Sequence, residues 1–132
     1  MLKSQCLESH IEVMKNFIAN GKIELLIDPR QMRQALANIL INAIEAMPQG
    51  GELWVGTEKT ADALRIVIKD SGIGIHLKDI PQIFDPFFSR KRDHTGLGLS
   101  ITQGIVANHK GKLRVISEVN VGTEFIIELP LN

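Results

Sequence analysis

The sequence predicts an α/β (α+β) two-layer sandwich, in which helices cover one face of a mixed, largely antiparallel sheet. Two observations lead to this prediction. Several short segments alternate apolar and polar residues, which is typical of strands with one polar face. Two longer segments carry apolar residues at helical spacing instead. Because the strands are polar on one face, we expect the helices to pack against the other face only.

The first predicted elements are a hairpin and a long helix. Residues 11–27 contain two alternating segments around an Asn-Gly turn, which predicts a β-hairpin. Residues 28–47 predict a helix, because Asp28 is a favourable N-cap and Pro29 suits the first helical position. Gln31 completes the spacing of a capping box. A Pro-Gln-Gly-Gly sequence then ends the helix.

The second half of the chain predicts two strands, a long irregular segment, a helix and two further strands. Alternating segments at residues 53–57 and 64–69 predict the first pair. Residues 75–95 are mostly irregular, and a helix is expected over about residues 97–109. The predicted order is β-β-α-β-β-loop-α-β-β. We expect one domain over residues 1–132, with residues 1–9 as the remainder of an upstream helix or a linker.

The composition is that of a globular domain without a bias towards charged partners. The chain has 132 residues, of which 44% are hydrophobic and 23% are charged. Fifteen basic residues balance fifteen acidic ones, so we expect no binding to nucleic acid and no direct membrane contact. The single cysteine, Cys6, excludes an internal disulfide and favours a reducing, cytoplasmic setting. A parent protein could still be membrane-anchored.

A polar stripe on the long predicted helix is the first candidate for chemistry. Gln31, Gln34, Asn38, Asn42 and Glu45 fall within about 80° of the helix circumference, opposite the apolar residues. Asparagine has poor helix propensity, so two of them in mid-helix indicate more than solvation. An amide oxygen is also a ligand suited to phosphate-bound Mg²⁺. From these residues alone, a solvated face and a ligand-binding face are equally supported.

Asp70 is the second candidate, since it ends a predicted strand and precedes Gly72 and Gly74. The commoner role of an Asp-Ser-Gly sequence is an Asx turn. A carboxylate, however, only accepts hydrogen bonds. It can therefore bind the amino group of adenine and reject the carbonyl group that guanine carries at the same place.

Aromatic and basic residues are concentrated in the long predicted loop. Three of the five phenylalanines lie within residues 84–88, and we expect Phe84 and Phe87 to anchor the loop to the core. Three basic residues at 90–92 follow. A basic loop with aromatic anchors suits a lid over a polyphosphate. The Gly-Leu-Gly sequence at residues 96–98 opens a predicted helix, and a helix N-terminus suits phosphate binding.

In this order, the segments resemble the catalytic, ATP-binding domain of sensor histidine kinases, a Bergerat-fold domain in the wider family of gyrase, Hsp90 and MutL. The resemblance covers about residues 10–130. Its motifs are the N box at residues 28–47, the first glycine box at 70–74, the F box at 84–88, the second glycine box at 95–99 and the closing Gly-Thr-x-Phe element at 122–125.

The resemblance implies that the chain binds ATP with Mg²⁺. Asn42 would be the Mg²⁺ ligand, with Asn38 one turn earlier on the same wall of the pocket. Asp70 would accept a hydrogen bond from the adenine amino group, while Gly74 and Thr123 would help through a water. The other implied positions are Gly72 in the first glycine box, phosphate contacts from Lys91 and Arg90, and backbone N–H groups around the phosphates at Thr95, Gly96, Leu97, Gly98 and Leu99.

The chain also departs from the family pattern. His94 stands where the family often has glycine, which we interpret as a plain substitution. Glu45 stands where some relatives have a basic phosphate contact, so it is assigned no such role. Asn38 occupies the position at which ATPase relatives carry a glutamate general base. Because an amide cannot take a proton from water, phosphoryl transfer to a protein is favoured over hydrolysis.

The resemblance implies a protein histidine kinase whose acceptor histidine lies outside this chain. His10 stands in a sequence faintly like the acceptor box, but it begins a predicted strand only 32 residues before Asn42. The expected partners are the dimerisation and phospho-acceptor domain of the same kinase and a downstream response regulator, and the fragment is expected to be monomeric. Two alternatives stay open: a protein serine kinase of the anti-sigma type, and a nucleotide-sensing interaction module without transfer activity.

Overall fold

The computed structural model describes residues 11–17, 25–86 and 98–131. Within these ranges, no helix is long and apolar enough to cross a membrane. The elements in chain order are β1 (Ile11–Phe17), α1 (Pro29–Glu45), β2 (Gly51–Lys59), β3 (Ala63–Asp70), a short 3₁₀ helix (Ile80–Gln82), α2 (Gly98–Asn108), β4 (Lys112–Glu118) and β5 (Gly122–Pro130).

The strands of the described ranges form a five-stranded sheet with the order β1-β2-β3-β5-β4. β1 runs parallel to β2, and the other three pairs are antiparallel. The register places Ile68 opposite Val55 on one side and opposite Phe125 on the other, so the apolar residues of neighbouring strands share one face. The predicted mixed, largely antiparallel sheet is therefore confirmed.

The hydrophobic core lies between this apolar face and the two helices. α1 contributes side chains at helical spacing, and β3 and β5 contribute alternate residues. The fully buried ones include Ala35, Ile39 and Ala43 from α1 and Phe125 and Ile127 from β5. α2 contributes Ile105 and Val106, and Ile83, directly after the 3₁₀ helix, also belongs to the core. The predicted two-layer arrangement, with helices on one face of the sheet, is thus the observed one.

The hairpin predicted at the start of the chain is wrong in its described part. β1 pairs in parallel with β2, from Ile11 opposite Gly51 to Phe17 opposite Thr57. Residues 25–27, predicted to belong to the returning strand, are not in a strand. Alternation of period two assigns side chains to faces but does not choose the neighbouring strand, and β2 offered a free edge. Residues 1–10 and 18–24, with the predicted upstream helix and turn, lie outside the described residues.

At the start of α1, the Asp28 side chain caps the helix as predicted, but the Asp28 N–H has a different partner from the predicted one. The Asp28 carboxylate accepts hydrogen bonds from the N–H groups of Arg30 (2.9 Å) and Gln31 (3.3 Å). The N–H of Asp28 itself donates to Nε2 of His109 at 2.9 Å, rather than to the Gln31 side chain of a capping box. Nδ1 of His109 lies 2.7 Å from the carbonyl oxygen of Ile105. Because Nε2 is the acceptor, Nδ1 carries the proton, and the ring joins the end of α2 to the start of α1.

Two predictions about the loop and the second helix are confirmed. Phe84 packs partly buried against the core, as expected of an anchor, while Phe87 lies outside the described residues. The second helix ends at Asn108, one residue before the predicted end. Gly111 closes it, because its N–H donates to the Val106 carbonyl at 2.9 Å.

The link through His109 predicts a difference between two substitutions near the start of α1. His109→Ala is expected to lower the free energy of unfolding by about 1 kcal/mol, since the Asp28 N–H loses its protein acceptor. Gln31→Ala should change it by less than about 0.5 kcal/mol, as an exposed position without that role. Urea denaturation of both variants measures the difference. A larger loss in Gln31→Ala than in His109→Ala would restore the capping-box interpretation.

Candidate functional site

A buried carboxylate stands at the end of β3. Asp70 is only 2% exposed, and its Oδ1 accepts hydrogen bonds from the N–H groups of Gly72 (2.9 Å) and Thr123 (3.2 Å). The bond to Gly72 makes the Asx turn that the sequence favoured. Among the described residues, no hydrogen bond reaches Oδ2. The turn and a ligand contact are therefore compatible, because they use different oxygens of one side chain.

Burial raises the pKa of Asp70 above its ordinary value of 3.8. The hydrogen bonds from Gly72 and Thr123 act in the opposite direction, because they stabilise the charged form. The cost of removing the carboxylate from water is the larger effect. A polar partner for the second oxygen would reduce that cost.

The loop after Asp70 is held between α1 and β4 by two glycines. A Cβ atom on Gly72 would overlap the carbonyl oxygen of Ala46, directly after α1. The N–H of Ile73 donates to that same carbonyl at 3.0 Å. Gly74 has a φ of +74°, and a Cβ atom there would overlap the carbonyl oxygen of Glu118. Both glycines permit close backbone approach, which fixes the loop that follows Asp70.

Ser117, on β4, ties the same region together and was not among the sequence candidates. Its Oγ accepts a hydrogen bond from the Ile75 N–H at 2.8 Å and lies 2.8 Å from Oγ1 of Thr123. It also donates to the Gly122 carbonyl at 3.0 Å. The alternation of β4 gives a signal that could have found it, since Ser117 falls on the same face as Val115. A hydroxyl on that face has to find polar partners.

A second cluster joins the two helices. Nδ2 of Asn38, in the middle of α1, donates to the carbonyl oxygen of Gly98 at 3.1 Å. Oγ1 of Thr102 donates to the same oxygen at 2.8 Å, and the Thr102 side chain is completely buried. Two residues of the sequence prediction, Asn38 and Gly98, are therefore in direct contact. Thr102 is a further member that sequence reasoning missed.

The polar stripe of α1 divides into two parts. Gln31 and Gln34 are exposed, so the start of the stripe is a solvated face. Asn38, Asn42 and Glu45 are half-buried. The solvated interpretation therefore holds for the start of the stripe, while ligand binding by its second half stays a prediction. Asn42 lies one turn after Asn38 on the same face of α1.

The remaining sequence candidates are divided between described and undescribed parts of the chain. Leu99 packs its side chain, partly buried, against the core. Its N–H is one of those at the first turn of α2 that lack a partner within the helix. Arg90, Lys91, Thr95, Gly96 and Leu97 lie outside the described residues, together with His10 and His94.

Known proteins resemble this chain in both sequence and fold. The family model for histidine kinase-, DNA gyrase B- and HSP90-like ATPases matches residues 27–132. Sporulation kinase C of Bacillus subtilis is 39% identical over 131 residues, which cover 99% of this chain and 31% of that protein. The sensor histidine kinase ZraS of Escherichia coli is 36% identical over 122 residues, covering 92% of this chain and 26% of that protein. The chain therefore spans less than a third of these relatives.

Solved structures agree with these relatives. The catalytic domain of the histidine kinase ThkA superposes with a TM-score of 0.85 at 30% identity, covering 98% of this chain and 86% of that one. Full-length ShkA in complex with AMPPNP gives a TM-score of 0.86 at 26% identity, covering 98% of this chain and 27% of that one. The fold of the described residues is thus that of histidine kinase catalytic domains.

The raised pKa of Asp70 predicts a pH-dependent effect of Asp70→Asn on the nucleotide-free protein. Because the folded state binds this proton more tightly, its contribution to stability is fully present below pH 3.8 and is lost as pH rises through the folded pKa. The amide is neutral throughout. At pH 7 the variant should therefore have a higher free energy of unfolding than the wild type, and the difference should shrink towards pH 3.8. Urea denaturation across this range tests it, and a pH-independent difference would contradict the assignment.

Proposed function

The chain belongs to the histidine kinase-, DNA gyrase B- and HSP90-like ATPase family, and on that premise we propose that it binds MgATP and presents the γ-phosphate to a histidine on another domain of the same kinase. Asp70 carries the proposal: it is a buried carboxylate with one oxygen committed to the backbone and no hydrogen bond to the other among the described residues. Since the chain spans less than a third of its relatives, the acceptor domain and the response regulator are part of the proposal.

At the adenine end, Oδ2 of Asp70 accepts a hydrogen bond from the adenine amino group. The carbonyl group of guanine would face this oxygen with another acceptor, so guanine nucleotides are rejected. The Thr123 hydroxyl and the backbone of Gly74 contribute through a water. Ser117 supports this function because it bonds both to the Thr123 hydroxyl and to the N–H of Ile75, the residue after Gly74.

At the phosphate end, backbone N–H groups at the start of α2 receive the phosphates. The positive end of the helix dipole favours anions there. Asn42 fits as a ligand of Mg²⁺, because a half-buried amide oxygen is a neutral, hard donor and the phosphates supply the negative charge. When bound, Mg²⁺ neutralises charge on the phosphates. Arg90 and Lys91, with the backbone of residues 95–97, are predicted to complete the phosphate contacts.

The reaction that suits this site is transfer rather than hydrolysis. The Asn38 amide cannot accept a proton from water, and its nitrogen is committed to the Gly98 carbonyl. An imidazole nitrogen of the acceptor histidine forms the new N–P bond, the bond between the γ-phosphorus and the bridging oxygen breaks, and ADP leaves. The site contributes positioning and charge stabilisation. An aspartate of a response regulator then receives the phosphoryl group.

Calorimetric titration with ADP and GDP, in the presence of Mg²⁺, tests the adenine end. ADP should bind and GDP should give no heat of binding. Asp70→Asn should weaken ADP binding by about tenfold to a hundredfold, since a hydrogen bond to a charged group is lost. No ADP binding to the folded wild-type chain would refute the proposed function.

Comparing ADP affinity with and without Mg²⁺ tests the role of Asn42 at the phosphate end. Asn42→Ala should reduce the gain in ADP affinity that Mg²⁺ produces and leave the Mg²⁺-free affinity unchanged. Gln34→Ala is the matched variant, because it removes an exposed amide from the same stripe of α1. Equal effects of the two variants would remove Asn42 from the Mg²⁺ site.

The transfer step is tested by incubating the chain with γ-labelled ATP and a matched dimerisation domain that carries an acceptor histidine. The expected product is acid-labile and alkali-stable phosphohistidine. An acid-stable phosphoserine would support the serine kinase alternative. Binding of ADP with no labelled protein would leave a nucleotide-sensing module and would exclude transfer with that partner.

A further inference from the structure

The carbonyl oxygen of Gly98 is held by two side chains from different helices. Asn38 of α1 donates to it at 3.1 Å, and Thr102 of α2 donates to it at 2.8 Å. The Thr102 side chain has no exposed surface, so this bond is not exchanged with water. The direction of one carbonyl group at the start of α2 is therefore fixed from two sides.

A fixed carbonyl also fixes the next N–H group. The peptide unit between Gly98 and Leu99 is planar, and its C=O and N–H point in opposite directions. The Leu99 N–H is among the first-turn groups that have no acceptor within the helix. The helix itself, through the bond from the Thr102 N–H to the Gly98 carbonyl, directs the Leu99 N–H towards the N-terminal side of α2. The side chains of Asn38 and Thr102 reinforce that direction, and the proposed function places the phosphates on this side.

Glycine at position 98 gives the two hydrogen bonds to its carbonyl a further purpose. A Cβ atom at this position would come no closer than 3.8 Å to Asn38, which is ordinary contact, so the described packing does not require glycine. Glycine does leave the peptide unit more freedom than any other residue. The two donors restrict that freedom at a position where an N–H group has to be aimed.

The simpler role of Thr102 is to satisfy its own hydroxyl. Threonine inside a helix often bonds to the carbonyl four residues earlier, and such a bond by itself has no function. This tendency of threonine does not explain why Asn38 of α1 donates to the same oxygen. The bond from Asn38 makes the Gly98 carbonyl a point at which the helix carrying Asn42 controls the start of α2.

We propose that Thr102 is a positioning residue for the phosphate end of the nucleotide site, acting with Asn38 through the Gly98–Leu99 peptide unit. This inference rests on the proposed function. It adds a residue that touches neither nucleotide nor metal and that acts only on the direction of the Leu99 N–H.

The experiment compares Thr102→Val with Thr102→Ser. Valine has nearly the shape of threonine without the hydroxyl, and serine keeps the hydroxyl. The affinities of adenosine, ADP and a non-hydrolysable ATP analogue are measured by calorimetry or by competition. Thr102→Val should lower the ratio of ADP to adenosine affinity by about threefold to tenfold, the value of one hydrogen bond. Thr102→Ser should keep the ratio of the wild type.

A second measurement follows the Leu99 amide by nuclear magnetic resonance. Its chemical shift change on addition of ADP should be smaller in Thr102→Val than in the wild type, while amides near Asp70 respond equally in both. If Thr102→Val does not fold, Thr102→Ala replaces it, with the same expected change in ratio.

The outcomes distinguish a failure of the proposed function from a failure of the role assigned to Thr102. If the wild type binds no adenine nucleotide, the proposed function fails, and this inference fails with it. If the wild type binds ADP and Thr102→Val has an unchanged ratio, only this inference is overturned. An equal loss for adenosine and ADP would also overturn it, because that result describes a purely structural residue.

Discussion

The burial of one carboxylate is the constraint on which the rest of the site depends. Asp70 lies at the end of β3 with almost no exposure, and a buried charge requires hydrogen bonds. Those bonds come from Gly72, in the following loop, and from Thr123, at the start of β5. The end of β3, the loop and the start of β5 must therefore converge on one oxygen atom. Ser117 ties the loop and β5 together from β4, which keeps that convergence in place.

The helix α1 connects the two ends of the proposed site. Its C-terminal side binds the loop after Asp70, since the Ala46 carbonyl accepts the Ile73 N–H. Eight residues earlier, Asn38 binds the Gly98 carbonyl at the start of α2. At a rise of 1.5 Å per residue, these two contacts are separated by about 12 Å along the helix axis. A single rigid element thus sets the distance between the Asp70 carboxylate and the start of α2. In the proposed function, these two places receive the adenine and the phosphates of one nucleotide.

The sequence predicted most of the fold because its main signals are local. Asp28 capped α1 as expected, and the alternation of β2 to β5 assigned their faces correctly. The pairing of β1 was not predictable in this way, because alternation carries no information about which edge a strand will join. Likewise, the capping box pointed to the nearby Gln31, whereas the partner of the Asp28 N–H is His109, 81 residues away.

The same distinction applies to the site. Asp70, Asn38 and Gly98 stood out as residue types that are unusual in their local setting, so a sequence pattern could select them. Ser117 and Thr102 are ordinary residues for a strand and a helix. Their importance comes from tertiary contacts, with the Thr123 hydroxyl and with a carbonyl that Asn38 also binds. The alternation of β4 could have predicted that Ser117 faces the same side as Val115. Nothing local distinguishes Thr102 from a threonine that bonds only to its own helix.

The asparagine at position 38 has two consequences: it binds the Gly98 carbonyl, and it leaves the site without a general base at this position. A carboxylate there could act as a general base towards water, but it has no hydrogen to give to the Gly98 carbonyl and would repel that oxygen. The amide does the reverse: it donates to the carbonyl and cannot take a proton. The bond that fixes the start of α2 to α1 therefore depends on the same atom group that disfavours hydrolysis. In the proposed function, a site that holds its phosphates firmly and leaves them intact for another domain follows from one side chain.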